Sequence, residues 1–222
     1  MKDKKMSDQF KCFIFDLDGT LLDTVEDLTR AFNYMRRSLN YPEISRERVE
    51  KMIGNGMRDV IEQSFAEMNE VPSAAEVDSA LDTMRNYYLQ HTVVTTKPYA
   101  GVIETLQFMR EKGCKTAVVT NKYTNAAVDI LQKFDMNKYF DCVFGNGEGF
   151  PLKPAPDLLW ECAKRTDTAI SDCVMVGDNY TDLGSARNAG CKSIFCRYGY
   201  GVELEEKPDF YIDKFQELKV FC

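Results

Sequence analysis

The sequence predicts an α/β protein, a doubly wound parallel sheet with a block of helices inserted near its start. Three observations predict it. Short apolar runs end abruptly in polar residues or glycine at Phe13-Ile14-Phe15-Asp16, residues 115–120, Cys173–Gly177 and Lys192–Cys196, as buried parallel strands do. Segments with helical spacing of apolar residues separate the later runs. Between about Leu22 and Thr95 that alternation stops, and four helical patterns follow one another with no strand between them.

The first run turns at Gly19, and Leu21-Leu22-Asp23-Thr24 leads into a helix. Thr24 and Asp27 have capping-box spacing, and Val25, Leu28, Phe32, Met35 and Leu39 form one apolar stripe. Tyr41-Pro42 ends that helix, and Ser45 caps a short second one to about Met52. Gly54-Asn55-Gly56 interrupts, a third helix runs from Met57 to about Met68, and a fourth from Ala74 to Gln90. Residues 92–98, rich in β-branched side chains, read as an extended connector. The expected division is therefore a helical insert over 22–95 and a Rossmann-like core over 1–21 and 96–222.

From Tyr99 onward helix and strand alternate again. A helix follows Gly101 to Lys112, and the strand 115–120 ends at Asn121-Lys122. The next helix carries Val128, Ile130, Leu131 and Phe134, and a short strand spans 141–144. The loop Leu152-Lys153-Pro154-Ala155-Pro156-Asp157 opens a helix to about Lys164. After the strand ending in Gly177-Asp178-Asn179-Tyr180-Thr181-Asp182 come a helix to Gly190, the strand 192–196 and an edge strand over 209–212.

Composition bounds the function. The 222 residues are 44% apolar and 28% charged, which fits a globular chain. A net charge of −7 argues against a nucleic-acid surface, and no apolar run reaches the length of a membrane span. No signal peptide is legible, and the eight scattered cysteines lack any Cys-x-x-Cys pair, so reduced thiols and a cytoplasmic location are expected. His91 is the one histidine, which weakens mechanisms built on histidine triads or multi-histidine metal sites. Oligomeric state is not legible; a monomer or weak homodimer is expected.

Four strand ends carry the polar residues: Asp16 and Asp18, Thr120 and Asn121, Lys153, and Asp178 with Asp182. Ligands of open α/β sheets sit beyond the carboxyl ends of the strands, so these groups can converge. Neighbouring carboxylates repel unless a cation or shared proton relieves them. Such a set suits phosphoryl transfer through an aspartyl phosphate: one carboxylate attacks phosphorus, a lysine and a cation neutralise phosphate oxygens, and a second carboxyl protonates the leaving oxygen. Mg2+ suits an all-oxygen site with few protein ligands.

Over essentially its whole length the chain resembles the haloacid dehalogenase superfamily of phosphatases. The resemblance rests on Asp16-Leu17-Asp18-Gly19-Thr20, Thr120-Asn121, Lys153-Pro154 and Gly177-Asp178-Asn179-Tyr180-Thr181-Asp182, in that order. It implies Asp16 as nucleophile, Asp18 as general acid and then base, Thr120, Lys153 and the Asn121 amide on the phosphate, and Mg2+ held by Asp16, Asp178, the Asp18 carbonyl and Asp182, directly or through water. It also implies that the insert is a cap over the site. Gly54, Gly56 and Arg58 resemble the cap loop of the phosphoglycolate-phosphatase-like subgroup, which points to a small phosphorylated metabolite such as 2-phosphoglycolate. Pyrophosphate, nucleotide 5′-phosphates and a β-phosphoglucomutase activity are the alternatives, and the mutases' histidine in the first cap helix is lacking here. A non-catalytic sensor of a phosphorylated metabolite is a further alternative from a different class.

Overall fold

The computed structural model describes residues 9–222. Its centre is β1 (Cys12–Phe15), buried along its whole length because alternate residues enter opposite layers. Phe13 and Phe15 pack among the side chains of α5 (Val102–Glu111), α6 (Thr124–Lys133) and the 3-10 segment Phe215–Phe221. Cys12 and Ile14 pack against α7 (Asp157–Arg165) and α8 (Tyr180–Ala189). A strand apolar on both sides thus has helices on both sides, as the sequence predicts.

Around it lie β4 (Lys115–Tyr123), β5 (Cys142–Asn146), β6 (Cys173–Gly177), β7 (Lys192–Cys196) and β8 (Phe210–Ile212). The order is β5-β4-β1-β6-β7-β8, and every pairing is parallel. The chain leaves β1 between β4 and β6, so three adjacent strands deliver Asp16, Thr120 and Asp178 to one crevice. Strand β4 runs three residues past its expected end at Thr120. Its register against β5 shifts between Val119 and Tyr123, and residues 120–122 stay buried there.

Four helices occupy the insert: α1 (Val25–Ser38), α2 (Arg46–Glu50), α3 (Met57–Glu67) and α4 (Ala74–Gln90). Helix α1 packs on α2 and α4, and α3 on α4. Arg36 is 2% exposed and bridges them, donating to Pro42 O at 2.7 Å and Ser64 Oγ at 2.6 Å and pairing with Glu67 at 3.1 Å.

Two local expectations fail. Thr24 makes no side-chain cap, and Asp27 accepts hydrogen bonds from the amides of Val94, Thr95 and Thr96 and from the Thr95 and Thr96 hydroxyls, at 2.7 to 3.1 Å. The buried carboxylate staples the two crossings of the chain instead of capping its own helix, because five donors outweigh one helical amide. The 92–98 connector is also not extended throughout: only β3 (Lys97–Pro98) pairs, antiparallel to β2 (Leu22–Asp23). All eight cysteines are free, and among the described residues no helix is long and apolar enough to cross a membrane.

Candidate active site

Gly19 sets the first turn. Its φ is +84°, and a Cβ there would stand 2.2 Å from Asp178 Oδ2, so only glycine lets the loop after β1 close onto the loop after β6. Thr20 Oγ1 donates to Asp178 Oδ1 at 2.8 Å, and the amides of Tyr200 and Gly201 donate to Oδ2 at 3.2 and 2.9 Å. The Tyr198 hydroxyl closes the same seam by donating to Thr20 O at 2.8 Å. The loop 198–201 thus orients Asp178.

Lys153 is the buried cation of the site. Its ammonium lies 2.9 Å from Asp16 Oδ1 and 2.6 Å from Asp182 Oδ1, and donates to Val119 O at 2.8 Å. Asn121 holds the lysine's backbone: its side chain accepts from Lys153 N at 2.9 Å and donates to Lys153 O at 3.0 Å, and to Gly54 O at 2.8 Å. The Asn121 amide expected on phosphate is thus committed to two loops. Asp182 has a further task, since its Oδ2 accepts from Asn179 N at 3.0 Å and completes a capping box on α8.

Asp16 and Asp18 line one cavity, together with Thr120, Asp178, Gly54 and Gly56. Yet their partners differ. Asp18 Oδ1 accepts from Thr24 Oγ1 at 2.6 Å, and Oδ2 pairs with Lys122 at 2.8 Å. Because Thr24 spends its proton on Asp18, the Tyr200 hydroxyl, 3.1 Å away, is the donor to Thr24. Lys122, Tyr200 and Thr24 are not among the site residues the sequence predicts. The signal for Lys122 was its spacing: two residues from Thr120 on a strand, it emerges on the same side.

Gly54 (φ +137°) approaches Asn179 so closely that a Cβ would lie 2.7 Å from Nδ2. The Gly54-Asn55-Gly56 turn thereby rests on the sheet edge, and Tyr180 Oη donates to Asn55 Oδ1 at 2.6 Å. Arg58 needs correction as a substrate-binding candidate. It does not line the cavity; half exposed, its guanidinium pairs with Asp78 and Glu62 along the outer helix faces. His91 stands at the end of α4, stacked on Tyr87 with Nδ1 2.7 Å from Tyr87 O, and does not line the cavity either.

Asp16, Asp178 and Asp182 each offer an oxygen within 4.8 Å of the others. Asp16 Oδ1 is buried without a well-directed hydrogen bond. Burial, then the charges of Asp16 and Asp182, push Asp178 up to about 8; burial also pushes Asp182 up to about 7, with Lys153 opposing. Three crowded carboxylates, an Asp16 oxygen met only by the Lys153 ammonium and a carboxyl that resists ionisation fit a hard cation bound through oxygen. A carboxyl whose folded pKa lies above its unfolded value near 4 holds its proton more tightly when folded, so the metal-free protein loses stability as pH rises through about 8. A divalent cation counters that loss. The rise in Tm on adding Mg2+ is therefore expected to be larger at pH 8 than at pH 5, and equal rises in melting experiments would contradict the assignment.

A crevice of carboxylates backed by two buried lysines, Lys153 beside Asp16 and Lys122 beside Asp18, at the carboxyl edge of a doubly wound sheet, defines a hydrolase site of the aspartate-based kind. Residues 13–196 match the haloacid dehalogenase-like hydrolase family, and the chain belongs to it. The chain is 35% identical over 215 residues to a phosphoglycolate phosphatase of Vibrio parahaemolyticus, covering 94% of each. It is 32% identical over 221 residues to one of Haemophilus influenzae, covering 96% of this chain and 98% of the other. The crystal structure of a predicted phosphoglycolate phosphatase from Haemophilus somnus superposes with a TM-score of 0.88 at 28% identity, covering 95% of this chain and 96% of that one.

Proposed function

We propose that the chain is a Mg2+-dependent phosphatase that hydrolyses a small phosphate monoester of the 2-phosphoglycolate type through a covalent phosphate on Asp16. The observation that carries this reading is the division of labour between two carboxylates: Asp16 beside the Lys153 ammonium, Asp18 between Thr24 and Lys122. The relatives' names support the substrate class.

An Asp16 carboxylate oxygen attacks phosphorus while the ester P–O bond breaks, and Asp18 gives its proton to the departing alkoxide. Asp18, now ionised, takes a proton from water, whose oxygen attacks phosphorus; the Asp16–phosphorus bond breaks, and inorganic phosphate leaves. Lys153 and the Thr120 hydroxyl neutralise and orient the phosphoryl oxygens. Asp16 and Asp178, with the Asp18 carbonyl and Asp182 completing the set, would hold Mg2+, which when bound supplies charge neutralisation to phosphate and to the crowded carboxylates. The insert over 22–95 serves as a cap: Leu28, Val49, Ile53, Met57, Val60 and Met84 line the cavity and exclude bulk water. The enzyme acts in the cytoplasm, which its eight free thiols support, as a monomer or weak homodimer without nucleic-acid or membrane partners.

The test is phosphate release from 2-phosphoglycolate, sugar phosphates, pyrophosphate and nucleoside monophosphates at equal concentration, with and without Mg2+. The highest kcat/KM is expected for 2-phosphoglycolate, in the presence of Mg2+ only. A wide lead for pyrophosphate overturns the monoester reading, and no release from any of them would make the chain a binding protein.

A further inference from the structure

We propose that Lys122 is the specificity-determining residue of this site, selecting leaving groups that carry a carboxylate. The inference rests on the phosphatase reading and adds the residue that reads the rest of the substrate. Lys122 leaves β4 on the same side as Thr120, and its side chain is 4% exposed. The ammonium sits 2.8 Å from Asp18 Oδ2 and 4.5 Å from the centre of the Tyr88 ring on α4, where sheet edge and helical insert meet.

The charge distribution of the cavity gives this position its meaning. Three carboxylates line it, from Asp16, Asp18 and Asp178, and Lys122 is the only lysine or arginine among its lining residues. Lys153 stands behind Asp16, committed to Asp16, Asp182 and Val119 O. The face contributed by the helices is apolar, and Arg58 is engaged outside. Whatever lies beyond the phosphorus therefore meets hydrocarbon, a few neutral polar groups such as Asn179 and Tyr200, and one ammonium. An ammonium has three N–H donors, and Asp18 is the one ion-pair partner of Lys122 among the described residues. A carboxylate on the leaving group completes its shell with a charge-assisted hydrogen bond in a largely dry site, whereas a neutral hydroxyl offers a weaker partner. The closeness of Asp18 to the same ammonium also fixes where the leaving oxygen lies: between the proton donor and the cation that holds the far end.

The test compares kcat/KM for 2-phosphoglycolate with that for 2-hydroxyethyl phosphate, which has the same two-carbon chain and a neutral CH2OH in place of the carboxylate. The wild type is expected to prefer the carboxylate by about 10²-fold, on the scale of a site that loses a designed polar contact. In Lys122→Met the preference is expected to fall to within a few-fold of unity, mainly through a raised KM for 2-phosphoglycolate, and Lys122→Arg is expected to restore part of it. Lys122→Gln, which keeps a polar end beside Asp18, serves where the methionine variant does not fold. If the wild type prefers the carboxylate and the neutral variants keep that preference while kcat falls equally for both substrates, Lys122 merely positions Asp18 and the proposal is overturned while the phosphoglycolate reading stands. If the wild type itself shows no preference, both fall.

Discussion

Asp16→Asn is expected to leave a folded protein with turnover reduced by roughly 10⁴-fold or more, because the attacking oxygen becomes part of an amide with little nucleophilicity. The exchange is nearly isosteric, and the structure argues that folding survives it. Asp16 is one of three carboxylates crowded within 4.8 Å, so removing its charge relieves part of the repulsion that, after burial, raises the Asp178 pKa. Lys153 keeps Asp182 at 2.6 Å and Val119 O at 2.8 Å. Thermal melting at or slightly above the wild-type Tm, together with turnover at background, is the expected pair of results. Turnover near the wild-type value would remove Asp16 from the chemistry.

Lys153→Met is expected to damage both activity and stability. The ammonium is fully buried and compensates two carboxylates at once, so its loss leaves Asp16 and Asp182 facing each other and Asp182 Oδ1 without its cation. Breaking a buried ion pair on one side costs about 3–5 kcal/mol. Losing a preorganised charge aimed at the transferring phosphoryl group costs on the order of 10²-fold or more in turnover. Urea denaturation and steady-state kinetics on the same preparation check the two effects, and added Mg2+ is expected to recover part of the stability. A variant as stable as the wild type would show that Lys153 does not hold the carboxylates together.

Much of this architecture was legible because local and global demands agree. Phe13-Ile14-Phe15 is apolar on every residue, which only a strand covered on both faces satisfies, and the polar residues at the strand ends fall where such a sheet opens its crevice. What was misread lies where a side chain serves a distant partner. Thr24 and Asp27 have the spacing of a capping box, yet Thr24 orients Asp18 and Asp27 staples 94–96, contacts that no local pattern encodes. Arg58 follows a glycine turn that does reach the cavity, but the start of α3 turns its guanidinium outward to Asp78. Lys122 lies beyond the strand end that the sequence predicts at Thr120; the register shift that carries β4 on to Tyr123 depends on its pairing with β5.

The central claim, that phosphate passes through Asp16 before reaching water, is tested most directly by stereochemistry at phosphorus. Hydrolysis of an isotopically chiral phosphorothioate analogue of 2-phosphoglycolate in isotope-labelled water reports it, whether or not an intermediate accumulates. Two successive in-line displacements predict retention of configuration. Inversion, the signature of direct attack by water, would contradict the account.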